Sequence, residues 1–420
     1  MEGRTINVEA GDLYPGEPFW RDKYEWLLSC GYKLRDRYKP DWVPSWRGKS
    51  DVYYYDQEDS FPFLDTRAAD AVRVSDGTPV ALKRVYPDVN PHEEAVIIKL
   101  GSEPLASDSR NHCVPIYEIL DVPGENYRLI VMPLLRKYAN PEFDTIGEVV
   151  SCIQQIFEAC CSCRTCCHQG LHFMHAHRIA HRDCTANNIM LDPRNMYPDG
   201  FHPAEPSKAK DLKEPAQYFT RTQRPSKYYL IDFGLSMLFP PEGPATAIPT
   251  MGGDRSVPEF AADYDAPYDP FPVDVYYLGN WVRKYIIQVG IMFSVKYHGF
   301  EFLSGLMDDM TVDDPSKRPT MEQVMERLDK IIKSAWSWKL RSRVAARDEH
   351  PILGLYRAIG HWKRRVVFIY TRTPAIPTPS PIPPTHVQRR SAAPASTSQP
   401  SVPAEPDPQA EIITPPPDAT

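Results

Sequence analysis

The chain has 420 residues, of which 42% are hydrophobic and 25% are charged, and its formal net charge is −7. This balance excludes a general attraction to nucleic acid or to anionic membranes. The first 20 residues lack the apolar run of a signal peptide, and no stretch reaches the ~18 apolar residues of a membrane span. We therefore expect an intracellular protein, cytoplasmic or nuclear, with no transmembrane segment and with reduced cysteines.

The N-terminal half predicts a small sheet. Residues 1–60 form a Trp- and Tyr-rich extension of mixed charge, which we expect to pack on the domain that follows. Beyond it, short apolar runs alternate with turn signals, as is typical of an antiparallel sheet with one inserted helix. The predicted strands and helix are Ala71–Val74, Val80–Val85, Tyr127–Met132 and the helix His92–Leu100.

Helical periodicity dominates the next part of the chain. The segments that show it are Thr145–Met174, Pro272–Gln288 and Thr320–Ile332. A sheet followed by helices predicts an α+β, bilobal protein with a cleft between its lobes. We place the main domain at 61–332, with a small lobe at 61–135, a mainly helical lobe at 136–332 and an insertion at 192–227.

Two C-terminal segments differ from this domain in composition. Residues 333–373 are rich in Lys and Arg and predict short basic amphipathic helices, which include Trp336, Trp338 and Trp362. A solvated face packed on the domain is the favoured interpretation, and a surface for an acidic partner or a membrane is the alternative. Residues 374–420 hold 14 of the 44 prolines and few apolar side chains, so we predict that this tail is disordered.

Two polar motifs indicate the chemistry. His181-Arg182-Asp183 is followed by Asn188, and Asp232-Phe233-Gly234 comes directly after the apolar run Tyr228–Ile231. In this order they resemble the catalytic loop and the metal-binding motif of protein kinases, which transfer the γ-phosphate of ATP. A narrower resemblance, to kinase-domain proteins of mushroom-forming fungi, covers most of residues 17–332. It rests on Gly31-Tyr32-Lys33-Leu34-Arg35, Trp42-Val43-Pro44-Ser45-Trp46, Ser75-Asp76-Gly77 and His181-Arg182-Asp183-Cys184. It implies a two-lobed kinase-like fold with ATP and Mg²⁺ as cofactors.

The resemblance also implies a role for each matched residue. Lys83, in Val80-Ala81-Leu82-Lys83, would contact the α- and β-phosphates, and Glu94 would hold it in place, with Glu93 as the alternative. Asp183 would accept or orient the proton of the substrate hydroxyl. The remaining positions are the Mg²⁺ ligands Asn188 and Asp232, the adenine-side residues Met132 and Leu134, a buried ion pair between Glu259 and Arg318, and Asp274, which would anchor the catalytic loop.

Several features depart from the kinase pattern. The stretch Phe63–Val72, where the family has a glycine-rich loop, contains no glycine, and Thr185 and Asn187 stand where kinases place a phosphate-directed cation. Asn188 and Asp232 are 44 residues apart, which we explain by an insertion that loops out over the surface. For the cluster Cys160–Cys167, we favour a structural insertion over metal binding or redox sensing.

These observations predict a protein kinase that is more suited to Ser/Thr than to Tyr acceptors. The main alternative is a pseudokinase scaffold with weak or no turnover, because the glycine-rich loop is missing. A small-molecule phosphotransferase on the same fold is the third possibility. The identity of the protein substrate and the oligomeric state stay open.

Overall fold

The structure, a computed structural model, describes residues 12–63, 65, 67–157, 170–249, 254–262, 265–287, 297–346, 349–380 and 387–390. The Cys160–Cys167 cluster lies outside these residues. The strands are β1 (Tyr32–Leu34), β2 (Ala68–Arg73), β3 (Pro79–Val85), β4 (Glu118–Asp121), β5 (Arg128–Pro133), β6 (Arg136–Lys137), β7 (Ile179–Ala180), β8 (Ile189–Leu191), β9 (Tyr228–Leu230), β10 (Met237–Leu238) and β11 (Gln388–Arg390). The helices are α1 (Glu17–Asp22), α2 (Tyr24–Ser29), α3 (Glu93–Leu100), α4 (Ile146–Phe157), α5 (Gly170–Ala176), α6 (Pro258–Ala262), α7 (Pro270–Val282), α8 (Ser304–Met310), α9 (Met321–Ser334), α10 (Ser337–Leu340) and α11 (Pro351–Tyr370).

The largest sheet has the order β1-β2-β3-β5-β4-β11. Its first five strands pair antiparallel with one another, and β11 pairs in parallel with β4. Strand β2 begins at Ala68, three residues before the predicted strand. The sequence pattern hid this start because Asp70, a charged residue that interrupts the apolar run, is buried in the strand. Its carboxylate is paired with Arg35, whose Nε lies 3.0 Å from Asp70 Oδ1.

Alternation along β3 gives the sheet two different faces. Val80 and Leu82 belong to a buried cluster that includes Trp20 and Leu27 of the N-terminal helices. Because successive side chains of a strand point to opposite sides, Ala81 and Lys83 face the other way. Trp20 and Leu27 of the N-terminal extension therefore cover one face of the sheet, and Lys83 lies on the opposite face.

The helices that follow build the larger core. It contains Phe157 of α4, Trp281 of α7 and Leu328 of α9, all buried. Helix α9 begins at a capping box in which Thr320 Oγ1 accepts from the Gln323 backbone N–H and the Gln323 side chain accepts from the Thr320 N–H. The chain is thus a mixed α+β protein, as predicted. No helix among the described residues is long and apolar enough to span a bilayer.

The predictions for the insertion and the tail were wrong in part. Insertion residue Arg221 is buried and donates hydrogen bonds to the carbonyl oxygens of Tyr138 and Pro141, at 2.8 and 2.6 Å. In the tail, Ser151 Oγ donates to the Pro377 carbonyl at 2.6 Å, and β11 pairs in parallel with β4. Composition predicted neither result, because the binding partners lie far away in the sequence.

Candidate active site

Lys83 lies at the centre of the site, on the face of β3 opposite Val80 and Leu82. Its Nζ is 2.6 Å from Glu93 Oε1 of α3 and 2.8 Å from Asp232 Oδ1, which follows β9. The Glu93 side chain is 1% exposed and that of Lys83 is 13% exposed. The Lys83 ammonium therefore connects β3 to α3 and to the turn that follows β9.

The predicted partner of Lys83, Glu94, does not contact it. Glu94 forms ion pairs with Arg128 of β5 and with Arg389 of β11. Consecutive residues of a helix point about 100° apart, so only one of the two glutamates can face Lys83. The helix begins at Glu93, one residue later than predicted, and its orientation selects Glu93. Glu93, the alternative that the sequence offered, is the residue in the site.

The loop that carries Asp183 is held by a buried carboxylate. The Asp274 carboxylate, on α7, accepts hydrogen bonds from the backbone N–H groups of His181 and Arg182, with N–O distances of 2.8 and 2.7 Å. Further along the loop, Asn188 Nδ2 donates to Asp183 Oδ2 at 2.8 Å and to the Asp183 carbonyl at 3.0 Å. These contacts fix Asp183 and Asn188 relative to each other, and they place Asp274 in the anchoring position that the sequence predicted.

Asp232 occupies an unusual turn. Its φ of 63° lies in the left-handed region, which is uncommon for residues other than glycine. The carboxylate accepts from the Gly234 backbone N–H at 3.2 Å, which offsets part of this strain. Next to the turn, the His181 ring contacts Phe233, and His181 Nε2 lies 3.1 Å from the carbonyl oxygen of Ile231. The turn and the Asp183 loop are thereby joined.

The two aspartates have opposite pKa shifts. Burial raises the pKa of Asp183 to about 6, although its hydrogen bond from Asn188 acts in the other direction. Burial also acts to raise the pKa of Asp232, but attraction to the Lys83 ammonium outweighs it and leaves this pKa lowered. Asp232 is therefore the permanent anion of the site, and Asp183 is the carboxyl group that can exchange a proton near neutral pH.

Beside Asp183 there is an open cavity of about 440 Å³. Thr185 and Asn187 line it, together with Asp254 and Lys284 from later in the chain. Lys284 Nζ is 2.9 Å from Asp254 Oδ2. The sequence analysis did not single out Lys284, because no local motif marks it; the helical turn Arg283–Ile287, which continues from α7, brings it close to the loop. Lys284 places a positive charge at this cavity, where the loop residues Thr185 and Asn187 are uncharged.

The sheet face that carries Lys83 contains a second buried ion pair. Asp70 pairs across β2 and β3 with Ala81, which pairs with Met132 of β5, so the three side chains share the face of Lys83. Arg35 binds Asp70 here and also donates to the Phe61 carbonyl at 2.8 Å. Leu134 is half-buried and follows β5 directly. The predicted adenine-side residue Met132 thus lies in one row with a charged pair that the sequence did not predict.

The predicted ion pair below the site is present. Arg318 Nη1 and Nη2 each lie 2.7 Å from a carboxylate oxygen of Glu259. The Arg318 side chain is fully buried and also donates to the carbonyl oxygens of Val312 and Pro272. Such a bidentate, multiply bonded pair holds the segment before α7 against the segment before α9.

Lys83, Asp183, Asn188 and Asp232 are therefore brought together in one site, and Glu93 takes the position beside Lys83 that was predicted for Glu94. A comparison of the chain with protein-family models found no match, and a comparison with curated proteins found none either.

Proposed function

We propose that the chain is a protein kinase that transfers the γ-phosphate of ATP to a protein hydroxyl, with Mg²⁺. The observation that carries this proposal is the bridge from Lys83 to Glu93 and Asp232, beside a loop that holds Asp183 and Asn188. Phosphoryl transfer needs positioned charges more than covalent help from the protein, and this set provides positioned charges. The resemblance to protein kinases implies the same roles for Lys83, Asp183, Asn188 and Asp232, with Glu93 as its alternative for the partner of Lys83.

Lys83 is suited to phosphate binding. Burial alone lowers the pKa of Lys83, but the carboxylates of Glu93 and Asp232 outweigh it and hold this pKa above its usual value. The ammonium therefore stays charged in the cleft. Glu93 fixes its position from the helix side, so that the free N–H of Lys83 can donate to phosphate oxygens.

The oxygen atoms of the site fit Mg²⁺. Asp232 offers a carboxylate, and Asn188 offers an amide oxygen, since its Nδ2 is already committed to Asp183. Mg²⁺ prefers hard oxygen ligands and is commonly held by one or two protein groups together with phosphates. When bound, Mg²⁺-ATP would supply the phosphoryl group and the neutralisation of its charge.

Asp183 is the group that receives the substrate. Its pKa of about 6 leaves it mostly ionised at neutral pH, so it can accept a hydrogen bond from an alcohol and take up the proton. The cavity beside it admits a side chain from outside. We propose serine or threonine as the acceptor, with Lys284 in the place of the cation that the loop lacks.

The test uses the full chain, labelled ATP, Mg²⁺ and a generic protein substrate, with Asp183→Asn and Asp232→Asn variants. We expect Asp183→Asn to lower transfer by about two orders of magnitude or more while nucleotide binding persists, and Asp232→Asn to weaken Mg²⁺-ATP binding as well. Equal transfer by the three proteins would refute the proposal. Thermal stabilisation by Mg²⁺-ATP measures binding separately from turnover.

A pseudokinase is the second candidate, because the Arg35–Asp70 pair lies in the row with Ala81 and Met132. A charged pair on that side of the cleft leaves less apolar surface for adenine. No thermal shift with Mg²⁺-ATP, combined with no transfer, would favour this candidate.

A further inference from the structure

Helix α11 presents an apolar face to solvent. All ten of its apolar and aromatic residues on this side are exposed, from 46% for Leu353 to 89% for Tyr370. We refer to these ten residues as the α11 face: Ile352, Leu353, Leu355, Tyr356, Ile359, Trp362, Val366, Val367, Ile369 and Tyr370. Trp336 and Trp338, at 82% and 59% exposed, precede the helix.

The helix separates its two sides sharply. At 3.6 residues per turn, the α11 face covers an arc of about 200°, and the other helix residues in this arc are Pro351, Gly360 and Lys363. On the opposite side, His361 and Arg364 bind Asp144, and Phe368 is buried. The helix is therefore attached to the protein by its polar side and turns its apolar side outward, the reverse of an ordinary surface helix.

The segment around this face is strongly basic. Residues 333–373 contain ten Lys and Arg against two acidic residues, a net charge of +8 in a chain whose total is −7. Among the described residues, Lys339, Lys363 and Arg372 have no carboxylate within ion-pair distance. The Arg365 guanidinium contacts two indole rings, 3.8 Å from the centre of Trp338 and 4.8 Å from that of Trp362.

We propose that the α11 face docks on an anionic phospholipid surface. A wide apolar arc with tryptophans, tyrosines and neighbouring basic residues is typical of helices that lie in the headgroup region of a bilayer. Lys363, inside the arc, can extend its ammonium to the headgroups while its methylene groups stay among apolar chains. A second copy of the chain is the less suitable occupant, because two such basic segments would repel each other.

The experiment is sedimentation of the full chain with vesicles of phosphatidylcholine alone or mixed with phosphatidylserine. We expect binding to the mixed vesicles at low salt, weaker binding at high salt, and a blue shift of tryptophan emission on binding. Two double variants test the apolar and the basic residues separately: Ile359→Glu with Trp362→Glu, and Lys363→Glu with Arg372→Glu. The affinity of each for the mixed vesicles should be at least about tenfold lower than that of the parent chain.

The matched control is Val89→Glu, which changes an exposed apolar residue away from the α11 face, where Val89 is 74% exposed. It should bind as the parent chain does. All the changed side chains are exposed, and thermal melts of each variant check that it is folded. Absence of binding to the mixed vesicles, or equal binding by the parent and both double variants, would overturn the proposal. The proposal would also be overturned if the parent chain bound no vesicles but formed a dimer, and if the Ile359→Glu, Trp362→Glu double variant were a monomer.

Discussion

Replacement of Glu93 and Glu94, one at a time, by glutamine tests the charge arrangement of the cleft. The two residues are adjacent in α3 and identical in chemistry, but only Glu93 contacts Lys83. Glutamine keeps the size of the side chain and removes its charge. The pair of variants therefore isolates the ionic contact from helix propensity and from volume.

The structure gives different magnitudes for the two changes. Glu93 is 1% exposed and its loss leaves Lys83 with Asp232 alone, 2.8 Å away. Loss of one partner of a buried pair costs about 3–5 kcal/mol, and the remaining carboxylate should reduce this to about 2–3 kcal/mol. Glu94 is 17% exposed and its partners Arg128 and Arg389 are more exposed, so its replacement should cost about 1 kcal/mol or less.

The assay is chemical denaturation of both variants and the parent chain, followed by thermal shift with Mg²⁺-ATP. We expect Glu93→Gln to lose more stability than Glu94→Gln and to lose the nucleotide-induced shift, because Lys83 is then free to turn away from the phosphates. Equal free energies of unfolding for the two variants, or a larger loss for Glu94→Gln, would refute the reasoning.

Three further predictions concern other charges. Glu259→Gln should lower the free energy of unfolding by about 3–5 kcal/mol, since it leaves the guanidinium of Arg318 buried among neutral partners alone. A denaturation curve like that of the parent would contradict this. Burial raises the pKa of Asp183 to about 6, so kcat/KM should rise with pH up to about 6 and then level off. Because the ionised carboxylate is destabilised by burial, the free energy of unfolding that Asp183→Asn gains should grow from about pH 4 to 6. Values of kcat/KM and of this gain that do not change with pH would contradict the prediction. Arg35→Met alone should destabilise the chain by about 3 kcal/mol, because it leaves Asp70 buried without its partner. The double variant Arg35→Met, Asp70→Val should regain most of this stability and bind ATP more tightly in calorimetry. An unchanged affinity for ATP would mean that the pair does not obstruct the nucleotide.

The sequence predicted the site residues that belong to local motifs. The resemblance to two short kinase motifs implied that Asp183, Asn188 and Asp232 belong to one site, and Asp183 and Asn188 lie only five residues apart in one loop. The strand around Lys83 and the capping box at Thr320 are likewise local, because alternation and capping depend on a few neighbouring residues. The α+β class followed from such patterns.

The tertiary structure decided which of two equivalent glutamates enters the cleft. Glu93 and Glu94 have the same chemistry, and a rotation of α3 by about 100° would exchange them, so only packing against the sheet selects one. Packing also brings Lys284 to the Asp183 cavity and a basic strand from the Pro-rich tail to the sheet edge at β4. These contacts join residues far apart in the chain, and no local pattern records the free energy that forms them.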